Sequence, residues 1–217
     1  MKKFFEKADI KTKDLVLTIP SYCSNVERQS LLDACEIAGL RCTRILNEST
    51  ALALQYGFFR KKDLHAENKR IVAIVDVGHS KTTITIASFL QGKTKIICHK
   101  SDRNLGARDW DWELMQMIGG KFKDKFGCDP RKNTRCKLRM LEGIEKARKM
   151  ISACSDANIN IDYLLEDEDL NHMLKKDEFE TICDPYFRRF TELCKATIEE
   201  AGKKHNQITN LFTGRLE

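Results

Sequence analysis

The sequence has no long apolar run, and this absence excludes several classes of protein. None of its hydrophobic stretches approaches the roughly 20 residues that a membrane-spanning helix needs, so we expect no membrane partner. The start, Met1 to Phe5, is followed at once by Glu6 and Lys7 instead of an apolar core, and we expect no signal peptide. The composition predicts a soluble, cytoplasmic, globular protein, and 217 residues can form one large or two smaller domains.

Closely paired cysteines are also absent. The nine cysteines include no C-x-x-C pair, and no histidine lies near them at zinc-finger spacing. Cys98, for example, follows Ile96 and Ile97 in an apolar run, where a thiol packs as a small hydrophobe. This pattern is typical of reduced thiols in a cytosolic protein, and a catalytic cysteine is the alternative.

The net charge of +6 raises the possibility of a nucleic-acid surface, because the basic excess is densest between Lys121 and Lys149. No series of aromatic residues accompanies it to offer a stacking platform. Acidic residues also interrupt the basic ones: Asp124, Asp129, Glu142 and Glu145. We therefore expect no nucleic-acid partner.

The chain up to Gly57 predicts the order strand, helix, strand, helix, which is typical of an α/β fold. Ser24 and Glu27 form a capping box at the start of the first helix. The predicted bounds are Leu15 to Ile19 for a strand stopped by Pro20, a helix from Ser24 to near Gly39, a strand from Cys42 to Leu46, and a helix from Asn47 to Gly57.

The remainder predicts a sheet followed by helices. Residues 58–69 have no clear periodicity and are the best candidate for a linker between two halves. Ile71 to Val75 is a continuous apolar strand, typical of one buried on both faces. The other predicted elements are a hairpin of Thr83 to Phe89 and Thr94 to His99, helices from Ala107 to Phe126, Lys137 to Ser152 and Lys176 to Ala201, and a strand from Ile159 to Tyr163.

The turn from Asp76 to Lys81 is the first candidate site. A carboxylate at a strand end, followed by a glycine turn with exposed backbone amides, can hold a metal-bound phosphate. The alternative is a purely structural Asp-x-Gly turn between two strands.

A stripe of polar residues on one helix is the second candidate. Glu145, Arg148, Lys149 and Ser152 share one helical face, opposite an apolar face of Leu141, Ile144, Ala147 and Ile151. The alternative is a solvated face whose internal ion pairs contribute about 0.2–0.5 kcal/mol each.

Several short motifs follow one another along the chain: Ile19-Pro20-Ser21-Tyr22, Ala38-Gly39-Leu40, Asn47-Glu48-Ser49-Thr50-Ala51, Tyr56-Gly57, Asp76-Val77-Gly78, Asn104-Leu105-Gly106 and Glu145-Lys146-Ala147-Arg148-Lys149. In this order and spacing, from near residue 8 to about residue 207, the chain resembles the ATPase domain of the seventy-kilodalton heat-shock chaperones. The resemblance implies an actin-like α/β fold with two lobes around a nucleotide cleft. Residues 1–65 would be the second half of lobe I, residues 66–105 and 184–217 the sheet subdomain of lobe II, and residues 106–183 its helical subdomain.

The resemblance also implies a site for ATP or ADP with Mg²⁺. Asp76, Gly78, His79 and Ser80 would form the second phosphate loop, with Asp76 acting on the magnesium through water and Glu48 as a second acidic candidate nearby. Gly106 and Ala107 match a glycine pair near the nucleotide. Glu145, Arg148, Lys149 and Ser152 would line the adenosine pocket. Lys81 follows the phosphate loop and is expected either to contact the outermost phosphate or to point into solvent.

Several residues depart from the family pattern, and they narrow the predicted function. Gly78-His79-Ser80 replaces three glycines and is similar to the large, hundred-and-ten-kilodalton branch of heat-shock proteins, whose members bind ATP but serve chiefly as nucleotide exchange factors and holdases. Lys81 and Thr83 replace a threonine and an aspartate, so we expect weak or no hydrolysis. Ser49 replaces a proline, and the Arg148-Lys149 order predicts weaker adenine stacking. Residues 212–217 do not match, and an artificial origin is one interpretation of them.

The leading hypothesis is therefore a fragment of a large-branch heat-shock chaperone. It would act as exchange factor for a seventy-kilodalton heat-shock chaperone and hold unfolded client proteins through domains outside this sequence. Two rivals stay open: a divergent active ATPase, and a scaffold that has lost nucleotide binding. The fragment alone is expected not to hydrolyse ATP, because phosphoryl transfer needs groups from both lobes.

Overall fold

The computed structural model describes the backbone of residues 14–204 and 210–216. The expectation of a missing signal peptide concerns residues outside these ranges. The strands are β1 (Asp14–Ile19), β2 (Arg41–Asn47), β3 (Arg70–Val77), β4 (Thr82–Leu90), β5 (Lys93–Asp102), β6 (Asp156–Leu165), β7 (Glu168–Lys175) and β8 (Asn210–Leu216). The helices are α1 (Asn25–Ile37), α2 (Glu48–Phe59), α3 (Ala107–Phe126), α4 (Thr134–Ile151) and α5 (Lys176–Lys204). The mixed helix and sheet confirms the α/β prediction.

Two compact units divide the described chain. The first contains residues 14–76, 83–101, 196–204 and 210–214. The second contains residues 77–82, 102–195, 215 and 216. The division into lobes and subdomains that the sequence suggested stays a prediction.

The first unit holds a two-stranded parallel sheet, β1-β2, and a four-stranded sheet in the order β5-β4-β3-β8. Helix α1 begins with the predicted capping box: Ser24 accepts a bond from the Glu27 amide at 3.3 Å, and the Ser24 amide donates to Glu27 at 2.6 Å. It ends before Gly39, which has a φ of +70°. The predicted strand at Ile71 to Val75 is confirmed as a buried strand.

Helix α2 continues two residues past the predicted end at Gly57. Gly57 lies within the helix and does not end it. Its lack of a side chain allows close packing on the sheet, since a Cβ there would lie 3.1 Å from Thr94 Oγ1. The segment after the helix, predicted as a linker, contains a short 3-10 turn and the buried Leu64. Leu64 packs with Ala53 of α2 and Val72 of β3 in one cluster. The residues on both sides of this segment therefore share a core.

The second unit is built on one apolar cluster between α3, α4 and the antiparallel β6-β7 hairpin. The predicted apolar face of α4 is confirmed at Ile144, Ala147 and Ile151, all buried. Helix α4 begins three residues before the predicted start, because the Asn133 side chain accepts bonds from the amides of Arg135 and Cys136. Strands β7 and β8 had no counterpart in the prediction. None of the described helices is long and apolar enough to cross a membrane.

Candidate functional site

The turn between β3 and β4 is a four-residue loop, Gly78 to Lys81, closed by a bond from the Gly78 amide to the Lys81 carbonyl at 2.9 Å. Gly78 therefore uses its own amide inside the turn. Within the described part of the chain, the backbone amides of His79 and Ser80 donate no hydrogen bond. These amides are the donors that an anion could use.

The first turn of α3 fixes the direction of these amides. Ala107 donates to the Gly78 carbonyl at 3.0 Å, and Arg108 donates to the His79 carbonyl at 2.8 Å. In a trans peptide the N–H points opposite to the C=O of the same unit. Because the carbonyls of Gly78 and His79 face α3, the amides of His79 and Ser80 point away from it.

Gly106 allows this close approach between the turn and the helix. A Cβ at position 106 would lie 2.5 Å from the His79 carbonyl oxygen and 2.7 Å from the Lys81 nitrogen, both backbone atoms that cannot swing aside. The sequence pointed to Gly106 and Ala107 as a pair near the nucleotide. In the structure both are buried, and both hold the turn in place.

The polar stripe on α4 divides into an exposed part and a buried part. Lys149 and Glu145 form an ion pair at 2.8 Å with about half of each side chain exposed. Ser152 caps the helix end and donates to the Lys149 carbonyl at 2.7 Å. The Lys149 hydrogen bond, aided by the charges of Arg148 and His79, lowers the pKa of Glu145.

Arg148 is the buried member of the stripe. Its Nε donates to Asp111 Oδ1 at 2.6 Å and its Nη2 donates to Asp111 Oδ2 at 3.2 Å. The side chains are only 10% and 6% exposed, respectively. The guanidinium carbon also lies 6.0 Å from the centre of the Trp110 ring. Arg148 thus joins α4 to α3, an arrangement that the sequence pattern did not predict.

A cleft of about 580 Å³ opens beside these residues in the second unit. His79 and Glu145, two of the predicted site residues, line it. The sequence analysis did not identify the other lining residues: Arg108, Asp109, Asp111, Trp112, Leu141 and Glu142. The sequence did hold a signal for three of them, since Arg108, Asp111 and Trp112 stand at i, i+3 and i+4 and therefore share one face of α3. The volume lies within the range of small-ligand pockets.

The remaining predicted residues lie around the turn or in the first unit. Lys81 and Ser80 are half-buried in the turn. Asp76 is half-buried near the end of β3, and Glu48 is the first residue of α2. Among the described residues no cluster of three or more acidic, histidine or cysteine side chains could hold a metal directly. A magnesium contact of Asp76 through water, and the role of Glu48, stay predictions.

Comparison with known proteins identifies the family. The model of the "Hsp70 protein" family matches residues 1–213. Among curated proteins, the chain is 35% identical to heat shock 70 kDa protein 16 of Arabidopsis thaliana over 96% of its own length and 27% of the relative's. It is 33% identical to the 97 kDa heat shock protein of Strongylocentrotus purpuratus over 93% of its length and 23% of the relative's. Heat shock 70 kDa protein 4L of Homo sapiens is 34% identical over 91% of this chain and 24% of the relative.

The chain belongs to the Hsp70 family, and it carries part of that family's actin-like nucleotide-binding domain. This confirms the resemblance. The chain spans about a quarter of the length of these curated relatives. Domains of this family in general bind ATP or ADP with Mg²⁺. The described residues fit the anionic part of such a ligand, because the backbone amides of His79 and Ser80 have no acceptor within the described chain and face away from α3.

Proposed function

We propose that this chain is the nucleotide-binding part of a large-branch chaperone of the Hsp70 family, which binds ATP or ADP with Mg²⁺ and promotes release of ADP from a smaller Hsp70 partner. The observation that carries the proposal is the Gly78-His79-Ser80 turn. Its amides at His79 and Ser80 point away from α3, and His79 lines the same cleft as Glu145. Backbone amides in such a turn bind phosphate oxygens without needing a charged side chain.

The proposed ligand contacts follow the family. Asp76 would hold the magnesium through water, with Glu48 nearby, and the metal would neutralise phosphate charge. Glu145, Arg148, Lys149 and Ser152 would serve the adenosine. The Glu145–Lys149 pair is exposed, so its opening for a ligand costs only about 0.2–1 kcal/mol.

Weak hydrolysis is part of the proposal. Thr83 stands where the smaller chaperones of the family have an aspartate. The residue is only 5% exposed, and its hydroxyl is bonded to Ser101 at 3.0 Å. A buried hydroxyl with a partner cannot take the place of a carboxylate that orients water. This observation favours an exchange factor over the divergent active ATPase.

The proposed branch of the family and the proposed cytoplasmic compartment rest on the relatives and on the cysteines. Two of the relatives are named 97 kDa heat shock protein, a mass that suits the large branch of the family. Unfolded clients would be held by domains outside this sequence. All nine cysteines are free, which supports a reducing, cytoplasmic compartment.

The test uses the full-length protein and an Hsp70 chaperone loaded with fluorescent ADP in a stopped-flow instrument. We expect faster ADP release on mixing, and a smaller acceleration by a Gly106→Val variant, because a Cβ at position 106 would lie 2.5 Å from the His79 carbonyl oxygen and would push the turn out of place. Ser30→Ala, on the exposed face of α1, is the control. Unchanged release at saturating protein, together with steady ATP turnover abolished by Asp76→Ala, would support the active ATPase instead.

A further inference from the structure

A separate cleft of about 490 Å³ opens in the first unit, beside the turn that joins β4 to β5. We call it the lysine cleft, and its lining includes Lys69, Ser88, Leu90, Lys93 and Lys95. None of its described lining residues also lines the cleft of the second unit. Its volume lies within the range of small-ligand pockets. The proposed nucleotide site therefore does not account for this cleft.

Strand alternation sends the lining side chains to one face of the sheet. Phe89 of β4 and Ile96 of β5 belong to the apolar cluster under α2. Successive side chains of a strand point to opposite faces, so Ser88 and Lys95 point away from that cluster. The same alternation places Lys93 beside Lys95. The lysine cleft is therefore a property of the sheet, with its side chains fixed in direction by the packing of their neighbours.

The lysines bring positive charge that the described chain does not neutralise. Lys69, Lys93 and Lys95 are exposed, and none of them forms an ion pair with a described residue. Further along β5, by contrast, Lys100 pairs with Glu200 at 3.3 Å. The described lining of the cleft contains no acidic residue. Because like charges held close together repel one another, a bound anion would be favoured here.

Ser88 supplies a hydroxyl at the buried wall of the lysine cleft. The residue is only 9% exposed, and its hydroxyl has no hydrogen-bond partner among the described residues. The buried Thr82 on the same strand differs, since its hydroxyl donates to the Leu105 carbonyl at 2.7 Å. A buried hydroxyl without a partner costs free energy, which a ligand can recover by bonding to it. Ser88 thus points to a ligand with acceptor atoms.

We propose that the lysine cleft binds a small molecule that carries several phosphate groups. Lysine ammonium groups bind phosphate oxygens as point charges with three donors each, and the Ser88 hydroxyl donates one more bond from the wall. Soluble polyphosphates and phosphorylated lipid headgroups share this chemistry, and the experiment separates them. The proposal does not depend on nucleotide binding, because the residues that carry it lie outside the proposed nucleotide site.

The experiment measures binding of inositol hexakisphosphate to the full-length protein by titration calorimetry, with ADP and Mg²⁺ present to occupy the proposed nucleotide site. We expect Lys93→Gln combined with Lys95→Gln to bind about 10- to 150-fold more weakly, because charge-assisted bonds are lost. Ser88→Ala should bind about 2- to 12-fold more weakly without a lower melting temperature, since its hydroxyl has no partner to lose. Lys61→Gln combined with Lys62→Gln is the matched control, because both lysines are exposed and neither lines the cleft.

Two results would overturn the proposal. The first is a wild type that does not bind the probe. The second is equal weakening by the cleft and control double variants, since that result would show attraction by net charge without a site. If the cleft variant alone loses binding, sedimentation with vesicles that contain phosphatidylinositol bisphosphate identifies the source: capture of the wild type but not of the cleft variant assigns a lipid headgroup, and no capture assigns a soluble ligand.

Discussion

The Asp111–Arg148 pair offers the sharpest test of the site's architecture. Replacing Arg148 with Met keeps much of the length of the side chain but removes its charge and its bonds to Asp111. The carboxylate is then left buried, at 6% exposure, without a cation. Breaking a buried pair by removing one partner costs about 3–5 kcal/mol.

The destabilisation by Arg148→Met should be local to the second unit, and hydrogen exchange can measure it. A loss of about 3–5 kcal/mol in the opening free energy of α4 corresponds to exchange roughly 150 to 5,000 times faster. Lys149→Ala is the matched control on the next residue. It breaks the exposed pair with Glu145, for which we expect a loss of about 0.3–0.5 kcal/mol, or a twofold change.

A double variant separates the pair from other effects of the substitution. Asp111→Leu combined with Arg148→Met removes both charges, and apolar replacement of a whole buried pair is often neutral or stabilising. We therefore expect exchange in α4 to return most of the way to the wild-type rate. The reasoning is refuted if Arg148→Met and Lys149→Ala have equal effects, or if the double variant exchanges faster than Arg148→Met alone.

Three further predictions concern the turn, its lysine and the partly buried phenol of Tyr186. Gly106→Ala should lower the free energy of unfolding by about 1–3 kcal/mol, because the added methyl group would clash with the turn. Gly202→Ala is the control and should be neutral or stabilising, because its methyl group meets nothing within 4 Å. Calorimetric melting measures both variants, and equal effects would contradict the packing of Gly106 on the turn. Lys81→Ala should weaken ATP by about 10- to 150-fold and ADP much less, measured by titration calorimetry, and equal losses would remove Lys81 from the site. Burial, with the carboxylate of Glu113 at 2.9 Å, raises the pKa of Tyr186 from 10.0 to about 12. The neutral phenol of Tyr186 therefore contributes its full stabilisation below pH 10, and that stabilisation is lost as the pH rises towards 12. The difference in unfolding free energy between wild type and Tyr186→Phe should shrink over that pH range, which denaturation at alkaline pH measures.

Local chemistry determined much of the secondary structure. The bounds of α3 were predicted to the residue, because a glycine precedes its first residue and Gly127 follows its last in a left-handed conformation with a φ of +77°. The capping box of α1 and the continuous apolar run of β3 were equally local signals. Strand β7 escaped prediction because its inward residues, Leu170 and Leu174, are interrupted by the polar His172.

The candidate site was only partly accessible from the sequence. The turn at Gly78 and the glycine at Gly106 could be found, because both are motifs of a few adjacent residues. That the two meet in one packed contact depends on residues far apart in the chain. Short-range patterns carry no information about which carbonyl will accept which amide at that separation.

The polar stripe on α4 shows most clearly what the sequence determined and what the tertiary structure decided. The sequence by itself determined that Glu145, Arg148, Lys149 and Ser152 share a face, because helical periodicity sets that. Only the tertiary structure decided that Arg148 is buried against Asp111 while Lys149 stays exposed. Trp112 reaches the cleft for the same reason, since the packing of α3 on α4 determines which side chains are enclosed and which stay open to a ligand.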